Sequence, residues 1–430
     1  MKRILATTSL LLTVGLSCLA QEFATSFFLG NYTYDYKLNP GAPLDCKDHS
    51  FASFGLGNIS ASLPTNLSYE KLAPTIDGQP YWALDSRVPA DLFVSKLKKN
   101  NFVSPSLNLN LFSFGKKMDS WRFNVEINAR SVNSVRVPLE AFSAIKYALE
   151  KTGTYGFTSP LTVSSSNYLE FAVGYGFKIG ERVTLGFRLK ALAGLAGANL
   201  KINTLTAGEN EDGELLITAD GKVNVASHML RIGTVDSGSI IETYDLQSAR
   251  FGYLGLEGYG GAVDIGVSVD AFPGFTAGFS ALDVGAMYWN YTSCGTVKYE
   301  RQVINDWNGV IRKEVSTSEL TMLPFNLHLF TKYKMPFYDK WNVGMVATFQ
   351  QYFQEVRIGT GITPVDFISL GLSAAYNSCG FDTGASLSIN FPGMNIFAGL
   401  TLPLPLVFNK DFIPVKGGIN NLTIGITLAI

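Results

Sequence analysis

Few side chains in this sequence have the type and spacing that catalysis needs. Its three histidines, His49, His228 and His328, are far apart in the chain, and no serine or carboxylate motif accompanies them. Hydrolytic chemistry would need a nucleophile beside a base, or a pair of carboxylates. The segment Gly258–Gly261 precedes a strand pattern instead of a helix, so it does not fit a dinucleotide-binding loop. The sequence therefore predicts a protein that is not an enzyme and that uses no cofactor.

The cysteines do not form a metal-binding pattern. Cys46, Cys294 and Cys379 follow the first twenty residues, and their count and spacing exclude a C-x-x-C or four-cysteine site, so we expect no metal. Cys294 and Cys379 lie in similar turns, each followed by glycine. Both a disulfide between these two residues and a pair of unpaired small side chains fit this pattern.

Charged residues of both signs are interleaved on the polar positions of strand-like segments. We expect these residues to face the interior of a barrel: Arg122, Glu126, Arg130, Glu170, Arg188, Lys190, Asp264 and Asp270. An ion-selective pore would need an excess of one sign. The mixture favours ion pairs between neighbouring strands, and therefore a blocked or gated lumen over an open diffusion pore.

The segments that carry these charges alternate between apolar and polar residues. In residues 121–130, for example, Trp121, Phe123 and Val125 alternate with Arg122, Asn124 and Glu126, which places each set on one face of a sheet. Runs of ten residues or more match the length that a tilted strand needs to cross a bilayer. The chain is 47% hydrophobic but only 16% charged, against about 25% in soluble domains. These features predict an all-β protein, a transmembrane antiparallel β-barrel.

Turn lengths predict the topology of this barrel. Short turns at residues 116–120, 180–181, 272–274, 336–340, 363–366 and 391–394 alternate with long loops, as the periplasmic turns and extracellular loops of such barrels do. This count gives about 14 strands, with 12 to 16 allowed, and a last strand that ends at Ile430. Two outer loops, at Ala90–Lys99 and Leu139–Lys151, have helical patterns. The alternation fails at Ala191–Ala198 and at Ala281–Asp283, where a bulge or a defect in the wall is expected.

The first fifty residues divide into two parts. Lys2 and Arg3 followed by an apolar run to Leu16 predict a signal peptide, residues 1–20, with cleavage between Ala20 and Gln21. Residues 21–50 are rich in phenylalanine and tyrosine, which an exposed tail would avoid. We expect this segment to plug the lumen, with a turn at Asn39, Pro40 and Gly41 that leads the chain back to the wall. A short extra strand or a periplasmic arm is the alternative. Residues 51–430 form the barrel.

Several short motifs resemble known barrels. Phe27–Asn31, Leu38–Ala42, Gly180–Ala191, Gly261–Asp270 and Asp283–Gly285 with Trp289 look like an uncharacterised Bacteroidota-type group of outer-membrane barrels. That group is similar to the long-chain fatty-acid transporter (FadL-type) superfamily, which shares with it an Asn-Pro-Ala near the N-terminus; Gly41 replaces the alanine here. The resemblance implies a plug, and a kinked strand that leaves a lateral opening for an apolar ligand.

These observations predict a protein of the bacterial outer membrane that takes up or passes a hydrophobic small molecule. A partner-binding scaffold like those of secretion machinery, and a plain diffusion channel, are the alternatives. The expected partners are outer-membrane lipid, a hydrophobic small-molecule ligand and the barrel-assembly machinery during biogenesis. The net charge of −1 makes nucleic acid an unsuitable partner.

Overall fold

The structure of the protein is a computed structural model. It describes residues 24–30, 32–44, 49–55, 57–150, 154–209, 215–227, 230–232, 241–244, 255–291, 293–303, 310–314, 317–351, 353–405, 407–408, 414–416 and 420–430. The signal-peptide prediction, with its cleavage between Ala20 and Gln21, lies outside the described residues, as do Cys46 and His228.

Fourteen strands form a closed antiparallel barrel. In chain order their bounds are β1 His49–Phe54 continued by Ile59–Ser62, β2 Ser106–Lys117, β3 Trp121–Pro138, β4 Leu161–Ile179, β5 Val183–Glu209, β6 Gly258–Phe272, β7 Phe275–Tyr291, β8 Thr317–Met322 continued by Asn326–Met335, β9 Tyr338–Gln350, β10 Gln354–Val365, β11 Ile368–Asn377, β12 Phe381–Phe391, β13 Met394–Leu404 and β14 Asn421–Ala429. The predicted fold class and strand number are confirmed.

Each strand pairs with its neighbour in the chain, and β14 closes the barrel by pairing with β1. The junctions β2–β3, β4–β5, β6–β7, β8–β9, β10–β11 and β12–β13 are short, as the turn pattern predicted. We call the end that carries them the turn end, and the opposite end the loop end. His49 and Ala429 both lie at the turn end, because β1 and β14 begin and finish beside it.

The alternation in the sequence corresponds to the two faces of this wall. On β6, Asp264 and Ser268 are buried inside the barrel, whereas Val263, Ile265 and Val269 are exposed on its outer face. The same alternation holds along β11 and β14. Apolar side chains therefore cover the outside and polar ones line the lumen, the reverse of a soluble protein.

The wall departs from a regular ladder where the sequence predicted it. Opposite Asp264, β7 inserts one extra residue, so Leu282 and Asp283 both turn inward, and Asp283 has a positive φ of 58°. The β4–β5 register also shifts between Gly194 and Ala196. Both shifts are β-bulges, and the predicted breaks in alternation are confirmed.

The loop end carries the three α-helices that the described residues contain. They are α1 Tyr69–Leu72, α2 Ala90–Ser95 and α3 Leu139–Glu150, and the last two confirm the helical patterns of the sequence. The rings of Phe93 and Phe142 pack edge to face with centroids 5.7 Å apart, which joins α2 to α3. None of these helices is long and apolar enough to cross a membrane.

Shorter elements complete the described chain. Two 3₁₀ turns, Ala24–Phe28 and Asp35–Lys37, precede the barrel. The remaining strands belong to the loops: Thr75–Ile76, Gln79–Pro80, Asn100–Val103, Thr154–Phe157, Leu215–Ala226, Leu230–Ile232, Ile241–Tyr244, Ser293–Val303, Val310–Glu314, Val407–Phe408 and Pro414–Lys416. Leu215–Ala226 extends the sheet beyond the barrel by pairing with the long end of β5.

Candidate functional site

The segment before the barrel lies inside the lumen. Phe28, Tyr34, Tyr36 and Leu44 have at most 1% of their surface exposed. The ring of Tyr34 packs edge to face against Phe51, which belongs to the wall, at 5.7 Å between centroids. The aromatic residues that would have made an exposed tail adhesive are therefore buried against the inner face of the barrel.

Wall glycines make room for the plug turn. Asn39, Pro40 and Gly41 lie against the cross-strand pair Gly186 and Gly266 of β5 and β6. A Cβ atom on either wall glycine would collide with the turn, and so would a Cβ on Gly41 with the wall backbone. Asn39 Oδ1 accepts a bond from the Gly41 N–H at 2.9 Å, which closes the turn. Because these glycines have no side chains, they leave a space in the wall that matches the plug turn in shape.

Polar contacts fix the other end of the same turn. Arg122 donates to Asp35 at 2.6 Å and to the Pro40 carbonyl at 2.8 Å. The Tyr36 hydroxyl donates to Glu126 at 2.7 Å, and Lys37 pairs with the same carboxylate at 3.3 Å. Charge-assisted bonds of this kind are the stronger class of hydrogen bond. The segment is therefore joined to β3 by both charge and hydrogen bonds.

Above the plug, towards the loop end, an ion-pair network crosses the lumen. Arg188 pairs with Glu126 and, at 2.8 Å, with Asp264. Lys190 pairs with Asp264 at 2.7 Å and with Asp283 at 2.6 Å. The network residues and their neighbours on the surrounding strands line a cavity of only about 20 Å³, which is room for a single water. The described side chains therefore leave little free space beside the network.

Arg130 joins the network to the bulge of β7. Its guanidinium donates to both carboxylate oxygens of Asp283, at 2.8 and 3.0 Å, and to Glu170 at 2.7 Å. The Asp283 N–H donates to Asp264 at 2.7 Å. The bulge thus carries a carboxylate into the centre of the lumen charges, where an unpaired charge would be strongly destabilising.

The predicted lumen charges are brought together with one exception. Arg122, Glu126, Arg130, Glu170, Arg188, Lys190 and Asp264 all take part in the contacts just described. Asp270 has the same strand parity as the inward Asp264 and Ser268 but takes no part in the network: it is exposed near the β6–β7 turn, where its carboxylate accepts a bond from Thr276 at 2.6 Å.

Within the described residues, three ion-pair partners of the predicted site residues were not themselves predicted. Asp35 and Lys37 belong to the plug, and no strand pattern marks them. Asp283 lies where the apolar–polar alternation of the sequence fails. A charged residue at such a position was the signal that could have identified it.

A cavity of about 290 Å³ lies on top of the network, on the loop side of Arg130 and Asp283. Its volume is close to the lower limit of usual ligand pockets, about 300 Å³. One side is apolar, with Met287 and Trp289 of β7 and Leu323 beside them, all packed in one cluster. The other side is formed by the loop ends of β1 to β4 and carries mainly serines.

The wall beside this cavity is interrupted. Between the two parts of β8, Leu323, Pro324 and Phe325 face residues 283–285 of β7 without a regular ladder, and the Leu323 N–H bond to the Gly285 carbonyl at 3.0 Å is the contact that remains. Pro324 has no N–H to donate. On its other edge, β8 pairs with β9 only as far as Asn326, and within the described residues its first part has no partner there. We call this interruption the wall notch.

The remaining candidate residues have structural environments. Cys294 and Cys379 are both free thiols, so the disulfide alternative is excluded: Cys294 belongs to the Trp289 cluster, and Cys379 lies in the turn between β11 and β12. Burial, with the nearby Asp382 carboxylate, raises the pKa of the Cys379 thiol to about 12. His328 faces the lumen and hydrogen-bonds Thr348 at 3.0 Å, and His49 begins β1.

The fold and the site together define a plugged 14-stranded barrel with a cavity on its loop side. The chain belongs to the family described as "Family of unknown function (DUF5723)", which its residues 47–400 match. Among curated proteins, none matches the sequence.

The solved structures to which this one is similar include two toluene transporters and a FadL homologue. The Pseudomonas putida toluene transporter TodX has 10% identity and a TM-score of 0.48, with 96% of this chain and 99% of that chain covered. The Ralstonia pickettii toluene transporter TbuX has 10% identity and a TM-score of 0.45, with 94% of this chain and 97% of that chain covered. A Pseudomonas aeruginosa FadL homologue has 10% identity and a TM-score of 0.44, with 96% of this chain and 98% of that chain covered.

Proposed function

We propose that this protein takes up a hydrophobic small molecule across the bacterial outer membrane. The observation that carries the proposal is the cavity of about 290 Å³. Its floor is the ion-pair network, and one of its sides borders the wall notch. A molecule in this cavity meets the ion-pair network below it, so the lumen offers no direct path. The notch offers a path sideways, into the surrounding lipid.

The properties of the wall support a membrane location. Its outer face carries exposed aliphatic and aromatic side chains, such as Ile265 and Leu372, and a soluble protein would not expose them in such number. Long loops at one end and short turns at the other fit an orientation with the loop end outside the cell. A protease site inserted near Asn210 should then be cleaved on intact cells, whereas one at Lys340 should be protected.

The binding step can be tested by filling the cavity. Ser166 of β4 lines the cavity, whereas its neighbour Ser165 faces the outside, since successive residues of a strand point to opposite faces. We expect the purified barrel in vesicles to bind the apolar fluorophore N-phenyl-1-naphthylamine, and Ser166→Trp to weaken that binding at least tenfold. Ser165→Trp should leave it unchanged.

The alternatives predict other results. A scaffold for protein partners would bind no apolar fluorophore, or would bind it equally well in both tryptophan variants. A diffusion channel would conduct ions steadily in a planar bilayer with the plug in place. Either result would contradict the proposal.

A further inference from the structure

The two sides of the cavity differ in chemistry, and this difference indicates what kind of molecule it holds. Beyond the apolar side described above, the inward residues at the loop ends of β1 to β4 form two rows of serines. Ser62, Ser106 and Ser166 form the lower row, with Val132 between the last two, and Ser134 and Ser164 are a cross-strand pair in the upper row. All of them line the cavity.

This serine wall has hydrogen-bonding capacity to spare. A hydroxyl group offers one donor and two acceptor sites. The contacts within the wall, Ser62 with Ser106 at 3.2 Å and Ser104 with Ser134 at 3.4 Å, use part of it. The hydroxyls of Ser164 and Ser166 make no hydrogen bond within the described part of the chain. A purely hydrocarbon ligand would leave these groups facing apolar surface, which is unfavourable.

Two of the charged groups that border the cavity are already paired. Arg130 and Asp283 neutralise each other in a bidentate pair, and Glu170 also accepts a hydrogen bond from Arg130. Arg136, at the loop side of the cavity, also makes an interaction. An anionic head group at Arg130 would therefore have to compete with Asp283 and Glu170, at a cost in binding free energy.

We propose that the ligand is a neutral amphiphile: an apolar chain or ring that packs on Met287, Trp289 and Leu323, joined to a group with several hydroxyl or amide functions that hydrogen-bonds the serine wall. This inference rests on the proposed function, because it specifies the ligand of the same cavity.

The test compares three ten-carbon probes that differ only in their polar group: decane, sodium decanoate and 1,2-decanediol. Each is measured by its displacement of N-phenyl-1-naphthylamine from the purified barrel in vesicles. We expect the diol to displace the fluorophore at a concentration about tenfold below that of either other probe, since it gains two hydrogen bonds worth about a factor of three each.

Two matched variants assign the effect to the serine wall. Ser134→Ala with Ser166→Ala removes inward hydroxyls, and should raise the half-displacement concentration of the diol about tenfold while leaving that of decane unchanged. Ser165→Ala removes the outward hydroxyl next to Ser166 in the same strand, and should change neither. These small substitutions leave the paired charges intact, so folding can be checked by heat-modifiable migration.

The outcomes separate the two proposals. If decane or decanoate binds best, or if the inward alanines do not affect the diol, the neutral-amphiphile inference is overturned while the cavity remains a hydrophobic binding site. If the fluorophore itself does not bind to the wild-type barrel, the proposed function fails, and this inference fails with it.

Discussion

Asp283 is the residue at which the bulge, the ion-pair network and the floor of the cavity meet, and replacing it tests that reasoning most directly. Its backbone has a φ of 58°, and its carboxylate holds Arg130 and Lys190. Replacement by alanine removes the partner of two buried cations and keeps the unfavourable backbone conformation. Replacement by glycine removes the same partner but relieves the backbone.

The expected losses follow from these contacts. Breaking a buried pair by removing one partner costs about 3–5 kcal/mol in the free energy of unfolding. Glu170 and Asp264 still hold Arg130 and Lys190, so we expect about 3–4 kcal/mol for Asp283→Ala. Asp283→Gly should lose about 1 kcal/mol less, because a left-handed conformation costs a residue with a Cβ at least that much. Asp283→Asn keeps the shape and tolerates this φ, and should lose about 2 kcal/mol.

The measurement is equilibrium unfolding in urea of the barrel in phospholipid vesicles, followed by tryptophan fluorescence. Stability should fall in the order wild type, Asn, Gly, Ala. The control is Asp270→Ala, an exposed carboxylate on the same wall, which should change stability by less than about 0.5 kcal/mol. An Asp283→Ala variant as stable as this control, or a glycine variant less stable than the alanine one, would refute the role of the pairs or of the backbone.

Three further predictions test the plug and the loop end. Gly266→Leu should displace the plug turn and increase single-channel conductance in planar bilayers, whereas Gly261→Leu, whose Cβ would have only the Lys190 carbonyl at 3.5 Å as a neighbour, should not. Asp35→Asn and Arg122→Gln should show a coupling energy of about 1.5–3 kcal/mol in a double-mutant cycle of unfolding, and an additive result would contradict the plug contact. Alkylation of Cys379 in a Cys46→Ser, Cys294→Ser background should keep accelerating as the pH rises from 8 to 11, since its pKa of about 12 keeps it protonated below that; a plateau near pH 9 would mean an exposed thiol.

The barrel could be predicted from the sequence because its rules are local. Each strand runs once along the wall, so its alternation alone fixes which side chains face outward and which face the lumen. Turn length then sets the topology without any long-range contact. The bulge at Asp283 was visible for the same reason, since one inserted residue reverses the alternation on either side of it.

The cavity could not be predicted, because it depends on which strands face each other across the lumen. Trp289 is a buried aromatic residue in a strand whose sequence pattern does not differ from that of the other strands. Its ring lies against Gly194, Gly197 and Gly258, and these glycines are far from it in the chain. Asp35 and Lys37 are similar cases: they lie in a segment without periodicity, and their roles follow from where the plug turn rests against Gly186 and Gly266.

A fixed plug and an interrupted wall together favour the sideways route over one through the lumen. Moving the plug would break the contacts of Asp35 with Arg122 and of Lys37 and Tyr36 with Glu126. At about 1.5–3 kcal/mol for each bond to a charged group, that is several kcal/mol without any ligand contact in return. At the wall notch the ladder is already absent around Pro324, and separating it further breaks the one bond from Leu323 to Gly285 that the described residues show there. For the proposed uptake, we therefore expect the path of lower free energy from the cavity to lead through the wall.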